Sequence, residues 1–546
     1  MTLSICGSQV YFLILRIITQ DRDMANKIKY PVGQQSFEML RKRDCLYVDK
    51  TRFLERLLNK GSQYYFLARP RRFGKSLFLS MMKCFFEGRR ELFTGLYADS
   101  MDWDWQPHPV LYLDLNQESY AKRESLSQVL ENKLSEWEKF YGITPEIDNF
   151  SVRFESIIKT AYEKTGKGVV ILVDEYDKPL VNNLHDEELF VSFREQLTTV
   201  YSNFKSSAEY IRLVFLTGVS RFALLSVFSG LNNITDISFT DAYSGICGIS
   251  ERELVENFQP GLSAIAEKHS KTPEQVRDDL KKRYDGYHFS KRSEDIYNPY
   301  SLLNVMEESE FGNFWIKSGI PTLLAQQLKK SGMDLGEVFN AQCFIEDLAG
   351  LDFETPRPIA LLYQTGYLTI KGYDPESEVC TLGIPNNEVK AGFLNFLLPY
   401  YANFHGETSA RFSVFKFVRE FRSGDAEAVM QRLRSMFASI PYDMEMQCER
   451  NLHNALLMLM MLVGMEVRTE LRTSSGRMDL FVKTDRYYYI IELKLNGSPR
   501  QALDQINDRR YALPFATDNR EIIKIGVNFS SESRTIDGWE IERQGD

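Results

Sequence analysis

The feature that most constrains the fold is the stretch at residues 63–77, in which a short apolar run leads into a basic loop. The loop ends in Gly74, Lys75 and Ser76 before an apolar helix pattern. A strand, a bend and a helix start in this order direct backbone N–H groups at phosphate oxygens, while the lysine reaches the outer phosphates and the hydroxyl binds Mg²⁺. The usual pattern is G-x-x-x-x-G-K-[ST], and Arg69 stands where its first glycine is expected. The stretch therefore predicts a phosphate-binding loop with one irregular position.

A second segment supplies the acidic groups that such a loop needs. Residues 166–175 form a glycine-bounded apolar run that ends in Asp174 and Glu175. Unbroken apolar runs are typical of parallel strands covered on both faces, and ligands of such sheets bind beyond the carboxyl ends of the strands. We therefore expect Asp174 to hold Mg²⁺ together with Ser76, and Glu175 to polarise the attacking water. The alternative, a plain turn and a solvated strand end, does not explain why both segments occur together.

Further polar residues are candidates for the same site. Arg71 and Arg72 lie in the basic loop, where they either add charge to the phosphate cradle or are simply exposed. Arg69 can obstruct the tight turn that glycine permits, and Arg69 and Arg72 are the two loop arginines expected to bind the nucleotide. Thr217 and Arg221 end a strand pattern at residues 213–221 and are candidates to sense the γ-phosphate. An arginine at a strand end more often forms a surface ion pair, so the sequence leaves both interpretations open.

Length and composition limit the class of protein. The 546 residues exceed one hydrophobic core, so we expect two or three domains. The net charge of −9 gives no general attraction to nucleic acid, although a local basic groove can still bind it. The seven cysteines include no C-x-x-C pair and the six histidines show no zinc-ligand spacing, which favours reduced thiols in a cytoplasmic protein. The apolar residues 10–18 are too few to span a membrane, which takes about 20.

The alternation of strand and helix patterns in the amino-terminal half predicts a three-layer α/β domain. Helical patterns follow, and then a helix pattern at 358–365 precedes two strand patterns at 367–370 and 379–384, which resembles a winged helix. The expected domains are an amino-terminal extension at 1–27, a nucleotide-binding domain at 28–249, a helical lid or spacer at 250–345, a winged-helix-like and helical linker at 346–440, and a last domain at 441–546.

The carboxyl-terminal part carries a second candidate site. Its pattern predicts an α-β-β-β-α-β order, with Asp479 on the second strand and Glu492 and Lys494 on the third. Glu492 and Lys494 are two positions apart and share a face, and a hairpin at 484–485 brings Asp479 near them. Carboxylates that hold Mg²⁺ and a lysine that activates water are what phosphodiester cleavage requires. Glu449 on the leading helix is a further metal ligand. The alternative is an exposed strand face of alternating charge.

Several motifs resemble a known family. The strongest are Arg-Pro-Arg-Arg-Phe-Gly-Lys-Ser at 69–76 and Val-Asp-Glu-Tyr-Asp-Lys-Pro at 173–179, which are similar to the AAA-ATPase-like family common in Bacteroides-type and other anaerobic bacteria. Gly-Arg-Met-Asp at 476–479 and Ile-Glu-Leu-Lys at 491–494 resemble the PD-(D/E)XK nuclease domain that often follows it. The resemblance implies a P-loop NTPase of the additional-strand class and a restriction-endonuclease-like α/β domain. It also implies that the family shares the irregular position at Arg69. By this resemblance the nucleotide ligands are Gly74, Lys75 and Ser76, and the acids for metal and water are Asp174 and Glu175. The nuclease core is Asp479, Glu492 and Lys494.

Together these patterns predict a cytoplasmic, Mg²⁺-dependent ATPase whose nucleotide state controls a metal-dependent nuclease domain. ATP and Mg²⁺ are the expected cofactors, DNA or RNA is the expected partner of the last domain, and no membrane is involved. A homo-oligomer is compatible with the sequence. Gln505 and Tyr511 are candidates to contact the nucleic acid backbone. The alternative function is a nucleotide-dependent regulatory switch whose last domain binds a partner or nucleic acid without cutting it.

Overall fold

The structure is a computed structural model, and it describes most of the chain between residues 28 and 543. The described ranges are 28–145, 147, 149–184, 186–221, 233–315, 328, 333, 335–349, 358–401, 416–417, 419–438, 457–458, 466–473, 476–533 and 535–543. They divide into two compact units. The first unit draws on residues 1–318 and 342–389, and the second unit draws on residues 319–341 and 390–546.

A five-stranded parallel sheet forms the centre of the first unit. Its strands are β1 Tyr64–Ala68, β2 Val110–Asp114, β3 Val169–Asp174, β4 Ile211–Gly218 and β5 Thr235–Asp236. They lie in the order β2, β3, β4, β1, β5, and each neighbouring pair runs parallel. β3 is buried along its whole length, as its unbroken apolar sequence predicts. The carboxyl ends of all five strands therefore meet at one edge of the sheet.

Helices cover both faces of this sheet, which confirms the predicted α/β class. On one face, Phe66 of β1 and Ile171 of β3 belong to a core that also includes residues of three long helices. On the other face, Phe78 of the helix Lys75–Phe86 packs against Phe215 of β4, with ring centroids 5.8 Å apart. The helices of this part are Phe37–Lys42, Arg52–Asn59, Lys75–Phe86, Glu124–Tyr141, Phe150–Thr165, Lys178–Val181, Glu187–Tyr201 and Asn203–Ser206, with 3-10 turns at Arg90–Phe93, Tyr97–Ser100, Leu115–Gln117, Ala208–Tyr210 and Asp241–Tyr243.

Local sequence explains where these helices begin and end. The Asn149 side chain accepts hydrogen bonds from two backbone N–H groups at the start of Phe150–Thr165, and this helix ends at Gly166 in the left-handed conformation. Farther along, Ser250 and Thr272 each form a reciprocal cap with the residue three positions later. The helices of this later part share one core, and they are Glu251–Asn257, Gln259–Lys268, Pro273–Tyr284 and Pro299–Glu308.

Two small antiparallel sheets complete the first unit. β6 (Ile249–Ser250) pairs with β7 (Ile296–Tyr297). β8 (Gln342–Phe344), β9 (Thr369–Asp374) and β10 (Val379–Gly383) form a three-stranded sheet in the order β8, β10, β9. The helices Ile345–Ala349 and Pro358–Thr365 precede the β9–β10 hairpin. The helix and hairpin lie where the winged-helix pattern was expected, with β8 as an additional strand.

The second unit contains a five-stranded mixed sheet. Its strands are β11 Glu466–Thr473, β12 Gly476–Lys483, β13 Tyr487–Leu495, β14 Glu521–Ser530 and β15 Thr535–Arg543, and they lie in sequence order. Only β13 and β14 are parallel, and the helix Pro499–Asp508 connects them and packs on both. The other elements are the helices Leu335–Val338 and Ala426–Ala438, the 3-10 turn Leu513–Phe515, and the helix Asn387–Tyr401, which crosses the division after residue 389.

The described part of the chain contains no helix that combines the length and the apolar character needed to cross a lipid bilayer.

Candidate functional site

The loop between β1 and the helix Lys75–Phe86 forms the first part of the site. Gly74 precedes the helix with a φ of 93°, a left-handed conformation that side chains rarely adopt. Arg72 also has a positive φ, of 68°. These turns direct the chain into a helix of 12 residues whose first N–H groups receive no side-chain cap, because the residue before the helix is Gly74. Such N–H groups, at the positive end of the helix dipole, are suited to bind phosphate oxygens.

Lys75 is buried at the start of this helix, with 3% of its surface exposed. Its ammonium donates to the carbonyl oxygens of Arg69 at 3.0 Å and Pro70 at 3.3 Å. The same ammonium lies 3.1 Å from Oε1 of Glu175. Lys75 is therefore held by the loop that precedes it and by an acid at the end of β3.

Asp174, the last residue of β3, is 2% exposed. Oγ1 of Thr217 on β4 donates to Oδ1 of Asp174 at 2.7 Å. Burial raises the pKa of Asp174 and the charge of Glu175 raises it further, while the Ser76 and Thr217 hydroxyl groups and Lys75 act in the opposite direction. A buried carboxylate beside a serine hydroxyl fits Mg²⁺, which prefers hard oxygen ligands. Ser76 and Asp174 are thus brought together as the sequence predicts.

The turn that follows β3 carries the next acids. Glu175 has a φ of 52°. Asp177 is 1% exposed and accepts hydrogen bonds from the Ser220 N–H at 2.6 Å, the Ser220 hydroxyl at 2.5 Å and the Val219 N–H at 3.3 Å. Burial and the neighbouring Glu175 raise the pKa of Asp177 to about 6. Asp177 therefore ties the turn after β3 to the end of β4.

These elements surround a cavity of about 510 Å³. Its lining combines the phosphate loop, the turn after β3, the segment 31–35 and the largely apolar segment 299–303. The lining residues are Pro31, Gly33, Gln34, Gln35, Arg71, Arg72, Phe73, Gly74, Lys75, Ser76, Leu77, Asn116, Glu175, Asp177, Lys178, Val181, Asn182, Val219, Pro299, Tyr300 and Leu303. The volume, together with four basic side chains against two acidic ones, suits an anionic ligand such as a nucleotide better than an uncharged apolar ligand.

Arg69 lies outside this lining. Its side chain is 2% exposed and donates to the carbonyl oxygens of Ala68 at 2.8 Å, Ser238 at 2.9 Å and Tyr243 at 3.2 Å. The guanidinium carbon also lies 4.2 Å from the centre of the Phe289 ring. Arg69 therefore anchors the loop where glycine is usual, and its guanidinium is occupied by carbonyl groups of the chain.

The other candidates at the end of β4 and in the loop differ in position. Arg72 lines the cavity, with its guanidinium carbon 4.5 Å from the centre of the Tyr300 ring. Thr217 and Arg221 are not among the described residues that line it. Arg221 forms an ion pair with Asp236 of β5, but the two side chains are only 18% and 16% exposed, so the pair is partly buried and not the surface pair that the sequence left open. The predicted nucleotide contacts of these three residues stay predictions.

Residues far along the chain contact the phosphate loop. The Trp315 indole N–H donates to the Arg71 carbonyl at 3.1 Å. Gly366 has a φ of 90°, and a Cβ at this position would lie 2.8 Å from Cβ of Pro70. The buried Glu388 carboxylate accepts the Trp315 backbone N–H at 2.9 Å and thereby fixes the tryptophan. The loop is thus supported from outside by groups that no local motif reveals.

The second candidate site lies on β12 and β13. Asp479 precedes Leu480, which pairs with Ile491, so Asp479 and Glu492 are neighbours across the two strands. Asp479 Oδ2 accepts the Leu493 N–H at 2.9 Å. Burial raises the pKa of Glu492 to about 7, and the charge of Asp479 contributes.

A lysine and an amide complete this second group. Lys494 Nζ lies 3.7 Å from Oε1 of Glu492 and donates to Oε1 of Gln505 at 2.5 Å. The Gln505 amide nitrogen donates to Oε1 of Glu492. Gln505, which the sequence suggested as a nucleic acid contact, thus bridges the acid and the lysine.

The structure confirms neither metal site directly. Glu449 lies outside the described residues. Within the ranges given above, no group of three or more His, Cys, Asp or Glu side chains is placed to hold a metal ion. Asp479 and Glu492 form a pair of oxygen ligands that fits Mg²⁺ with further ligands from water or substrate.

Sequence reasoning missed three residues of these sites and gave a fourth, Gln505, a different role. Asp177 and Lys178 lie within the motif at 173–179, and their place two and three positions after Glu175 was a usable signal. Asn116 carries no local signal, and no local pattern contains the bridge that Gln505 forms between Glu492 and Lys494, because both depend on which strands are neighbours.

Comparisons with known proteins match the two parts of the chain that carry these candidate sites. The family model described as "Predicted AAA-ATPase" matches residues 31–228, and that of the PD-(D/E)XK nuclease superfamily matches residues 447–539. A relative from Azotobacter chroococcum mcd 1, described as "Uncharacterized protein in vnfD 5'region", is 34% identical over 538 residues. The alignment covers 95% of this chain and 99% of the relative, so the similarity extends along nearly the whole of both proteins.

Proposed function

We propose, since the chain belongs to the predicted AAA-ATPase family with a PD-(D/E)XK nuclease superfamily domain, that it hydrolyses ATP with Mg²⁺ and that its nucleotide state controls a metal-dependent nuclease. The observation that carries the ATPase half is the position of Lys75 between the phosphate loop and Glu175. A triphosphate on the loop N–H groups would draw the ammonium towards its outer phosphates. This would release Glu175 to orient the attacking water.

The metal would be held beside this pair. Ser76 and Asp174 supply a hydroxyl and a carboxylate at the same edge of the sheet. When bound, Mg²⁺ would neutralise charge on the phosphates. Thr217 donates to Oδ1 of Asp174 and holds the carboxylate in place. Oδ2, which accepts a long hydrogen bond from the Tyr112 hydroxyl at 3.5 Å, is the oxygen that we assign to the metal. Thr217 thus acts on the site through Asp174.

The order of strands supports the additional-strand class of P-loop protein. β4 lies between β1, which leads into the phosphate loop, and β3, which carries the acids. The end of β4 is therefore next to both. This arrangement allows the N–H groups of Val219 and Ser220 to donate to Asp177, and Val219 and Asp177 both line the cavity.

The nuclease half rests on the convergence of Asp479, Glu492 and Lys494. Two acids on neighbouring strands can hold Mg²⁺, and Lys494 is placed to orient water or to stabilise the charged phosphate. The proposed substrate is DNA or RNA, and the proposed location is the cytoplasm. The domain limits expected from sequence and a homo-oligomeric state also belong to this proposal.

One observation favours the alternative of a switch that binds without cutting. The Gln505 amide hydrogen bonds to Glu492 and to Lys494 at once. In this state both groups are occupied by the chain itself. A partner bound at this face would then be recognised without hydrolysis, and a cleavage assay separates the two functions.

The test measures phosphate release from ATP and cleavage of labelled DNA and RNA, both with Mg²⁺, for the full chain and its variants. We expect Lys75→Ala to lose ATP hydrolysis and Lys494→Ala to lose cleavage. Lys83→Ala is the control for the first, because Lys83 lies on the same helix and pairs only weakly with Glu87 at 3.8 Å. Lys524→Ala, on the neighbouring β14, is the control for the second. A wild-type chain that does not bind ATP refutes the first half, and cleavage unaffected by Lys494→Ala refutes the second.

A further inference from the structure

Four basic side chains line the cavity, and three of them belong to the phosphate loop. The fourth is Lys178, the first residue of the short helix Lys178–Val181. It comes from the turn after β3 that also carries Glu175. The cavity therefore receives positive charge from the segments that follow two different strands, β1 and β3.

The ammonium of Lys178 is available for exchange with a ligand. It donates to the backbone oxygen of Asn116 at 3.2 Å and to the Asn116 side-chain oxygen. Both acceptors are uncharged, and Asn116 itself lines the cavity. A phosphate oxygen is a stronger acceptor because its negative charge adds to the hydrogen bond. By contrast, Lys75 already lies against the carboxylate of Glu175.

The backbone holds Lys178 in a fixed relation to Glu175. The Lys178 N–H donates to the Glu175 carbonyl at 3.0 Å. Between them, the buried carboxylate of Asp177 accepts the N–H of Ser220 at 2.6 Å and that of Val219 at 3.3 Å. The turn is thus fastened to the end of β4, so the lysine and the water-orienting acid move as one element.

The electrostatic surroundings also favour an anion beside Lys178. Burial lowers the pKa of Lys178, Glu175 raises it, and the charge of Arg71 lowers it. Arg71 and Lys178 both line the cavity, and their charges repel each other. A polyanion bound in the cavity would offset this repulsion by supplying negative charge to both cations.

We propose that Lys178 binds the γ-phosphate of a bound nucleoside triphosphate and stabilises the charge that develops on it during hydrolysis. The inference rests on the proposed ATPase function. In that reaction the water oxygen bonds to the γ-phosphorus and the bond from this phosphorus to the β,γ-bridging oxygen breaks. The products are ADP and inorganic phosphate, and the proton of the water passes to Glu175. Lys178 keeps its protons throughout and supplies charge, as an arginine from a second subunit does in related reactions.

The experiment compares binding and hydrolysis in the full chain and in Lys178→Met. Binding of the non-hydrolysable triphosphate AMP-PNP and of ADP is measured with Mg²⁺ by competition against a fluorescent nucleotide. We expect AMP-PNP affinity to fall by about tenfold or more, because a charge-assisted hydrogen bond is lost. ADP affinity should change by less than about twofold, since ADP has no γ-phosphate. The rate of phosphate release at saturating ATP should fall by about 100-fold.

Two further variants make the result specific. Lys178→Arg should keep the preference for AMP-PNP over ADP, because the charge is retained. Lys167→Met removes a lysine at the amino-terminal side of β3 that lies 3.5 Å from Asp104 and outside the cavity lining. It should behave as the wild type. Circular dichroism melting curves establish that each variant is folded.

The outcomes separate the inference from the function on which it rests. A wild-type chain that binds neither nucleotide overturns both. A wild-type chain that binds and hydrolyses ATP, together with a folded Lys178→Met variant that keeps the wild-type ratio of AMP-PNP to ADP affinity, overturns only the role of Lys178. Loss of that ratio in Lys178→Met, and its retention in Lys167→Met, supports the role.

Discussion

Nζ of Lys75 lies 3.1 Å from Oε1 of Glu175, so the lysine proposed to bind phosphate and the acid proposed to orient water neutralise each other. Hydrolysis needs the two apart, with the lysine on the phosphates and the acid on the water. In the proposed ATPase, the ion pair is therefore the arrangement of the resting chain, and the bound nucleotide takes the place of Glu175 as the partner of Lys75. Burial strengthens the competition between Glu175 and the nucleotide for Lys75, because Lys75 is 3% exposed and water screens the ion pair little.

The first prediction concerns Glu175→Gln. We expect ATP hydrolysis to fall by about 100-fold or more, because glutamine cannot accept the proton of the attacking water. ATP affinity should rise, since Lys75 no longer has an anionic partner to leave. Stopped-flow phosphate release and equilibrium nucleotide binding measure the two effects. Glu87→Gln is the control, because it removes an ion pair with a different lysine, Lys83. It should change neither the rate of hydrolysis nor the affinity for ATP. Unaltered hydrolysis by Glu175→Gln would refute the assignment of this acid.

The second prediction concerns Gly366→Ala. A methyl group at this position has two costs: the backbone has a φ of 90°, and the added Cβ would lie too close to Pro70. The left-handed conformation alone costs alanine about 1–2 kcal/mol. We expect a lower melting temperature together with weaker nucleotide binding. Gly142→Ala has a comparable φ of 62° at a helix end away from the loop. It should lose stability and keep nucleotide affinity. Equal affinities of the two variants would show that Gly366 does not support the phosphate loop.

The third prediction concerns the pH dependence of stability. Burial raises the pKa of Asp285 from 3.8 to about 7. The unfolded chain releases this proton near pH 4 and the folded chain keeps it until near pH 7. The stability that the protonated group contributes is therefore complete below pH 4 and is lost as the pH rises to 7. Asp285→Asn should be more stable than the wild type at pH 8, by up to about 4 kcal/mol, and this advantage should shrink at pH 5.

Asp295→Asn is the control, because the pKa of Asp295 is lowered whereas that of Asp285 is raised. A hydrogen bond from His288 is the main cause that lowers the pKa of Asp295. Its contribution to stability is present above the ordinary pKa and is lost as the pH falls, so the asparagine variant should lose stability at neutral pH. Urea unfolding at pH 5 and pH 8 measures the Asp285 variant, and urea unfolding at pH 3 and pH 5 measures the Asp295 variant, because only the lower pair spans the ordinary carboxyl pKa from which that of Asp295 is lowered. The same pH trend in the two would contradict the assigned cause.

The fourth prediction concerns metal at the second site. Glu492 is 2% exposed and its pKa is raised to about 7, so ionisation costs the folded chain free energy at pH 8. Without metal, Glu492→Gln should be more stable than the wild type by up to about 3 kcal/mol. Mg²⁺ should raise the melting temperature of the wild type and leave that of Glu492→Gln unchanged. Glu542→Gln, on β15, should keep the response to Mg²⁺. A response to Mg²⁺ that survives Glu492→Gln would remove this residue from the metal site.

The sequence predicted the site residues whose signals are local. Lys75 and Ser76 follow a strand and open a helix, and Asp174 and Glu175 end an unbroken apolar run. Each signal is contained in about ten residues, so spacing and polarity suffice. The pairing of Asp479 with Glu492 was predictable for the same reason, because one short hairpin joins their strands.

The parts that escaped prediction depend on contacts between distant segments. β5 has two residues, Thr235–Asp236, and is too short for a periodic pattern. The side chain of Arg69 suggested a phosphate ligand, yet it binds carbonyl groups from residues about 170 positions later, such as Ser238. The hydrogen bond that the Ser220 N–H donates to Asp177 requires that β3 and β4 be neighbours in the sheet, and the order of strands along the chain does not specify this. No single-sequence pattern carries such information.

The support of the phosphate loop by Trp315 and Gly366 has a consequence for biosynthesis. Ribosomes deliver the amino-terminal part first, and domains generally fold as units during synthesis. The loop at 69–76, the acids after β3 and Lys178 all emerge well before the residues that brace Pro70 and Arg71. A nascent chain therefore holds every group needed for nucleotide chemistry before its loop is mature. The order of translation delays the finished site until residue 366 has left the ribosome, and a chain truncated before that point keeps the motif without the support.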